Sequence, residues 1–331
     1  MKKVTIKQLA EILGVSISTV SKALNNSYEI SDATRKRVVE TAEIYGYFPN
    51  PIARRLKYGK TYTLGVILPT IQDNFFVRVL HGIEEEIYNT EYNIITCSTR
   101  NVYTKEVELI HNLSGIVDGF IIAPAKETIL KQDFRHFRKA IKMGKPILMF
   151  DRIINSIDCS TIESNNINAV FNATIQLIDK GRNNIVIACN NELSTDKDRI
   201  KGYIKALQRT QIDFDSNLIL KIDPIDFKNR LKKILNDKTI DAIICTDEDS
   251  TYEVLKVIKF LGKKIPEEIS IIAYIDEKIA QNLEPEITTI NQHRKTIGET
   301  AVKTLISQIE EEKSLPKRIK LNSTLYRRAS F

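Results

Sequence analysis

The 331-residue chain is poor in the residues that build catalytic and metal centres. Its four cysteines, Cys97, Cys159, Cys189 and Cys245, include no pair with metal-ligand spacing. Three lie in or beside apolar runs and read as buried thiols of a reducing compartment, not as disulfides. The four histidines, His81, His111, His136 and His293, are scattered, so neither a metal nor a cofactor is expected. There is no apolar leader, and no run of the roughly twenty apolar residues needed to span a bilayer. The expectation is a cytoplasmic protein without a membrane partner. Gly-rich loops of the P-loop or dinucleotide type are absent. The carboxylates Glu84, Glu85 and Glu86 fall in a helical segment and read as a solvated face. With no nucleophile in view, an enzyme is not expected.

What the chain does have is charge, unevenly placed. Residues 1–60 hold eleven Lys or Arg against five Asp or Glu, whereas the other 271 hold 38 against 37. A basic head on a balanced body points to a nucleic-acid partner for the head.

The head has helical periodicity. Ile6, Leu9, Ala10 and Leu13 form an apolar stripe over Thr5 to Leu13. Thr5 and Gln8 have capping-box spacing, and Gly14 suits a left-handed stop. Ser16 can cap a second helix, Ile17 to Leu24, with Val20, Ala23 and Leu24 inward. Ile17, Ser18, Ser21 and Lys22 share its other face. Ser31 and Asp32 open a third helix ending at Tyr45 and Gly46, whose Val38, Ala42 and Tyr45 can close a small core. Two short helices around a Gly-containing turn make a helix-turn-helix, whose second helix enters the major groove. A plain three-helix bundle with a wet charged face remains the alternative. A basic segment, Asn50 to Lys57, follows with Pro51 at a helix start. Two turns of helix are marginal in water, so this segment is expected to order on binding.

Val4 to Asn26, VTIKQLAEILGVSISTVSKALNN, resembles the headpiece of the LacI/GalR family of bacterial transcription regulators. GYFPNPIARRLKYGKTYTLGVILP resembles that family's hinge and first body strand. The resemblance runs along essentially the whole chain. It implies base reading by Ile17, Ser18 and Lys22, and phosphate contacts by Thr5, Ser16, Thr19, Ser21 and Asn25. It places Ala53, Arg54, Leu56 and Lys57 on a minor-groove hinge. Leu56 is the apolar wedge there, a device that unstacks and kinks a base step; its alternative is a core leucine. Position 22 commonly carries Arg. Lys offers a point charge where Arg grips guanine with two bonds, so an altered half-site is expected.

Beyond Thr63 the apolar runs TLGVILP, YNIITCS, VDGFIIA and KPILMF alternate with helical stretches. NNIVIAC, SNLILKI, IDAIICT and ISIIAYI form a second series. Such runs suit strands buried on both faces of a parallel sheet, and the alternation gives an α/β fold. The family body is a two-lobed periplasmic-binding-protein-like fold. The resemblance thus implies a headpiece at 1–46, a hinge at 47–61 and an effector-binding, dimerisation body at 62–331. Lobe one spans about 62–161 and 289–321, lobe two about 162–288 and 322–331.

The effector cleft is expected at the strand ends. There the resemblance places Phe75, Phe76, Asp151, Arg199, Thr246, Ile275 and Gln292. Read without the family, Asp151 and Arg199 are a surface ion pair or a helix cap. Thr246 stands where Asn is common, Ile275 where Asp is common, and Ser164 replaces an Asp before Asn165. These departures point to altered ligand chemistry within the class of sugars or related metabolites.

One headpiece reads few base pairs, so a homodimer on a near-palindromic operator in double-stranded DNA is expected. The chain ends at Phe331 without the leucine-heptad extension of tetrameric members, which favours a dimer. The expected function is sequence-specific regulation, mostly repression, under effector control. The alternative is a soluble small-molecule receptor with a vestigial head.

Overall fold

The computed structural model describes all residues except 1–3, 25, 48–58, 190–192, 222–225, 238 and 312–313. Asn25, Ala53, Arg54, Leu56 and Lys57 lie outside the described residues. The chain forms two compact units, Met1–Thr61 and Tyr62–Phe331.

In the first unit Thr5 caps the helix Ile6–Leu13 reciprocally. The Gln8 N–H donates to Thr5 Oγ1 at 3.3 Å, and the Thr5 N–H donates to Gln8 Oε1 at 2.9 Å. Gly14, at φ +66°, turns the chain into the second helix, Ile17–Leu24. Ser31 caps the third, Asp32–Ile44. Leu9, Leu13, Val20, Ala23, Val38 and Ala42 are buried together between the three helices.

Tyr45 does not join this core. It caps the third helix and stays 47% exposed. The Gly46 N–H returns to Glu43 O and the Tyr47 N–H to Ala42 O, a Schellman closure. That turn carries Tyr47, two residues on, back against the core in its place.

The second unit contains two six-stranded sheets. Its strands are β1 (Thr63–Leu68), β2 (Asn93–Ser98), β3 (Gly119–Ile122), β4 (Ile147–Phe150), β5 (Ser160–Ser164), β6 (Ile185–Cys189), β7 (Ile219–Lys221), β8 (Ala242–Cys245), β9 (Ser270–Ala273), β10 (Thr288–Asn291), β11 (Arg318–Leu321) and β12 (Thr324–Tyr326). The first sheet runs β11-β5-β4-β3-β1-β2 and is parallel throughout. The second runs β12-β10-β9-β8-β6-β7, with only β12 antiparallel. Each apolar run of the sequence contains one strand, β1–β4 or β6–β9, of which β2 and β7 lie at sheet edges.

The chain passes between sheets three times: after β5, after β10, and between β11 and β12. The expected lobe boundaries near 161 and 289 fall a few residues early. β5 is bonded to β4 and β11 through Ser164, and β10 lies between β9 and β12 through Asn291. These strands are short and largely polar, so no apolar run announces them.

Each sheet is covered by a close helix pair. Gly298, in the helix Arg294–Glu310, touches the backbone of Asn74–Tyr88, and a Cβ there would sit 2.1 Å from Val79 O. In the second lobe a Cβ on Gly202 would sit 2.3 Å from Ile167 O. Overpacking of this kind costs about 1–3 kcal/mol. Gly298→Ala should lower the body's stability by about that amount in thermal melts. Gly115→Ala, with nothing within 4 Å, should leave the melting temperature unchanged or higher.

Candidate functional sites

In the head, Ile17 and Ser18 are exposed on the second helix, Ile17 by 47%. Lys22 and Ser21 are half-buried on the same helix. Ser16 Oγ accepts the Thr19 N–H at 3.0 Å and lies 2.7 Å from the Ser18 hydroxyl. Ser16 thus caps the N-terminus of this helix, the end that favours phosphate.

Two arginines of the head serve its own fold. Arg35 donates to Asp32, to Ser27 O at 3.1 Å and to Ile30 O at 3.3 Å. Arg37 donates to Leu13 O. The Lys22 ammonium is ion-paired with Glu29, a contact absent from the sequence reading. Glu29→Gln should free that ammonium and tighten binding to any duplex several-fold at low salt, while Lys22→Ala should flatten base preference at one position per half-site. A binding-site selection with both variants measures this, and an unchanged motif for Lys22→Ala removes that residue from the reading set.

In the body, a cavity of about 680 Å³ opens at the carboxyl ends of the strands. Phe75 and Phe76 reach it from the helix after β1, Asp151 and Arg152 from the end of β4, and Thr246 from the end of β8. Arg199 is its central group. The guanidinium stacks 4.1 Å from the Tyr274 ring centroid. Arg199 Nη1 donates to Thr246 O at 2.8 Å and to Asp196 Oδ1 at 3.3 Å, and its Nε donates to Asn166 Oδ1 at 3.4 Å. Arg152 donates to Asn101 Oδ1 at 2.6 Å and Pro124 O at 3.0 Å, and its guanidinium lies over the Phe76 ring, 5.7 Å from the centroid.

Burial pushes the Asp151 carboxyl up, against the nearby Arg152 and Arg199 charges. Burial likewise pushes Asp247 up, against hydrogen bonds from Ser250. Gln292 also lines the cavity, and its Nε2 donates to Ser164 Oγ at 3.2 Å.

Ile275 does not reach the cavity. It is 2% exposed and packs with Ile271 and Ala273 on one face of the second sheet. Side chains alternate along extended chain, so the neighbouring Tyr274 faces the cavity instead. Asp196, Asn166 and Asn101 were also missed. Only Asp196 carried a signal, three residues before Arg199 on one helix.

Charged groups tie the lobes together beside the cavity. Arg78 grips Asp276 with two bonds, Nε to Oδ2 at 2.7 Å and Nη2 to Oδ1 at 3.1 Å. Asn74 donates to Glu248 at 2.8 Å, and Arg294 lies 3.6 Å from Glu248.

Residues 5–50 match the family of bacterial regulatory proteins, lacI family, and residues 174–331 match the periplasmic binding protein-like domain. A probable HTH-type transcriptional regulator, EndR of Paenibacillus polymyxa, is 30% identical over 337 residues, covering 98% of each chain. The chain belongs to the LacI family. The HTH-type transcriptional repressor PurR of Photobacterium profundum is 28% identical, again over 98% of each chain. The lac repressor dimer bound to operator and the anti-inducer ONPF shares the fold at TM-score 0.83 and 20% identity, covering 99% of both chains. The CelR–cellobiose complex shares it at TM-score 0.71 and 23% identity, covering 99% of this chain and 100% of that one. This LacI-family chain is therefore a DNA-binding transcription regulator with a periplasmic-binding-protein-like effector body, and these relatives are regulators rather than enzymes.

The two kinds of acid in this LacI-family body respond oppositely to pH. Burial pushes Asp276 up, but the Arg78 hydrogen bond and charge and the Arg294 charge hold it below the usual carboxylate range. Its contribution is present above that range and lost as pH falls through the lowered value. Asp151, with a raised value, has the reverse sign: acidification from neutral pH through that value strengthens the fold. Asp151→Asn should accordingly leave the melting temperature equal or higher, while Asp276→Asn should widen the ligand-free body in solution scattering.

Proposed function

We propose that the chain is a homodimeric repressor that reads a near-palindromic operator with Ile17, Ser18 and Lys22. Its grip is set by a neutral, hydroxyl-rich metabolite of the sugar class held between the lobes. The charge balance of the cavity carries the ligand reading. Asp73, Asp151, Asp196, Asp247, Glu248 and Asp249 line it against Lys126, Arg152, Arg199 and Arg294. Arg199, Arg152 and Arg294 are each already engaged by protein acceptors. An anionic ligand would meet excess carboxylate, whereas hydroxyls donate to carboxylates and lie against aromatic faces. The cellobiose held by the CelR relative belongs to the same chemical class.

In this reading Asp151, Thr246 and Gln292 take ligand hydroxyls, and Arg199 stays in place on Tyr274. Ligand contacts across the cleft change the free energy of lobe separation, which the Arg78–Asp276 pair opposes. The effector shifts the balance only by its differential affinity for the open and closed states. The family resemblance carries that shift to the hinge at 47–61. There Leu56 wedges the minor groove, with Ala53, Arg54 and Lys57 beside it, while Thr5, Ser16, Thr19, Ser21 and Asn25 hold phosphates. The place of action is the cytoplasm; no helix among the described residues is long and apolar enough to cross a membrane.

The test is selection of genomic fragments by the full chain, followed by calorimetry with neutral sugars. A symmetric motif bound by a dimer is expected, with at least one sugar changing operator affinity. Arg199→Ala and Asp151→Asn should each abolish that response without loss of DNA binding. A chain lacking Met1–Lys60 should keep ligand binding and lose all salt-dependent DNA binding. Equal affinity for every fragment, with or without sugars, would leave the receptor with a vestigial head.

A further inference from the structure

Arg152, Arg199 and Arg294 all line the cleft cavity. Arg199 and Arg152 each donate to two or more protein acceptors. Arg294 donates a hydrogen bond to none among the described residues. Its nearest carboxylate oxygens are Glu248 Oε1 at 3.6 Å and Asp276 Oδ2 at 4.0 Å, both beyond hydrogen-bond reach. The side chain is nevertheless only 11% exposed. It opens the helix Arg294–Glu310, and its guanidinium lies over the Phe75 ring, 5.8 Å from the centroid. That contact holds the group and uses none of its five N–H donors. The nitrogens are not sealed inside the protein. Phe75 and Glu248 line the cavity as well, so the surface they keep opens on the cleft.

Charge and hydrogen bonding are answered separately at this side chain. Glu248, Asp276 and Asp73 balance the positive charge. The hydrogens have no acceptor, and a withdrawn donor without one forfeits its hydration. A ligand carboxylate or phosphate would accept them but would also meet three acids, and like charges brought together cost affinity. A hydroxyl oxygen accepts from the guanidinium and donates its own hydrogen to a carboxylate, which an anion cannot do. The fork is planar and its donors point side by side, so it matches acceptors on adjacent atoms.

We propose that Arg294 is a further specificity-determining residue of the cleft, donating to the oxygens of two adjacent hydroxyls on one sugar ring. Those hydroxyls donate in turn to the surrounding carboxylates. A sugar lacking one of the pair leaves a donor stranded, and sites built on hydrogen bonds reject such analogues strongly. The inference rests on the sugar reading of the cleft and names the part of the ligand that is read.

The probes are D-glucose, D-galactose, D-mannose, D-xylose, D-ribose and cellobiose, titrated calorimetrically into the full chain. The tightest binder is then compared with its single deoxy analogues. Against the unaltered chain, two analogues lacking neighbouring hydroxyls should each bind about tenfold more weakly, the value of a hydrogen bond to a charged group. Arg294→Lys keeps the charge opposite Glu248 and loses the fork. It should weaken the parent sugar about tenfold and bind those two analogues nearly as well as the parent. The other deoxy analogues should lose the same factor against both chains. Arg294→Gln should behave alike, and it decides if the lysine variant fails to fold. A parent sugar unaffected by either variant, or one common factor of weakening across every analogue, would overturn the role of Arg294 and leave the cleft reading standing. D-Glucuronate binding more tightly than D-glucose would replace the diol with an anion and overturn it too. Binding of none of these sugars by the unaltered chain would overturn both readings together.

Discussion

A guanidinium withdrawn from water organises the effector-binding half of this protein. Arg199 is 8% exposed. Removing such a charge from solvent costs several kcal/mol unless its donors are met. Four separate pieces of chain meet them. Tyr274 follows β9, Thr246 follows β8, Asn166 opens the helix after β5, and Asp196 lies one turn before Arg199 itself. Satisfying one side chain therefore fixes the ends of two strands and the starts of two helices. The cavity exists between elements whose positions that side chain has already set.

Much of the framework was legible because it is written in periodicity. The eight long apolar runs became β1–β4 and β6–β9; six of these lie inside the sheets, where a parallel strand is buried on both faces, and β2 and β7 lie at the edges. The three head helices followed from Thr5, Gly14, Ser16, Ser31 and Gly46, residues whose capping chemistry is local. Strands β5, β10, β11 and β12 left no comparable trace, since they are short and rich in polar residues. Tyr45 and Tyr47 show the limit at one turn. Helical spacing chose the first, and a left-handed glycine delivered the second. Ile275 and Tyr274 show the same limit in a strand, where a shift of one residue changes the face.

The cleft residues divide by how far their partners lie along the chain. Asp151 and Arg199 could be named only by resemblance, since nothing local distinguishes them from a surface pair or a cap. Asn101 and Asn166 meet their arginines across 51 and 33 residues, and no spacing rule reaches that far. The head and body also use charge differently. The body neutralises it internally, pair by pair, whereas the head keeps a surplus for a polyanion. His136 fits neither pattern, being buried beside an acid with one ring nitrogen unanswered.

If Lys22 reads a base as proposed, its pairing with Glu29 sets a ceiling on discrimination. When the facing base offers a good acceptor, the ammonium swings outward and the carboxylate is left behind. When the base offers none, the ammonium need not stay stranded and dehydrated in the groove, because it folds back onto its own acid. The penalty for a wrong base at that position is then capped by the difference between two occupied arrangements. Such a reader tolerates operator variants there, and its regulon can spread over imperfect sites.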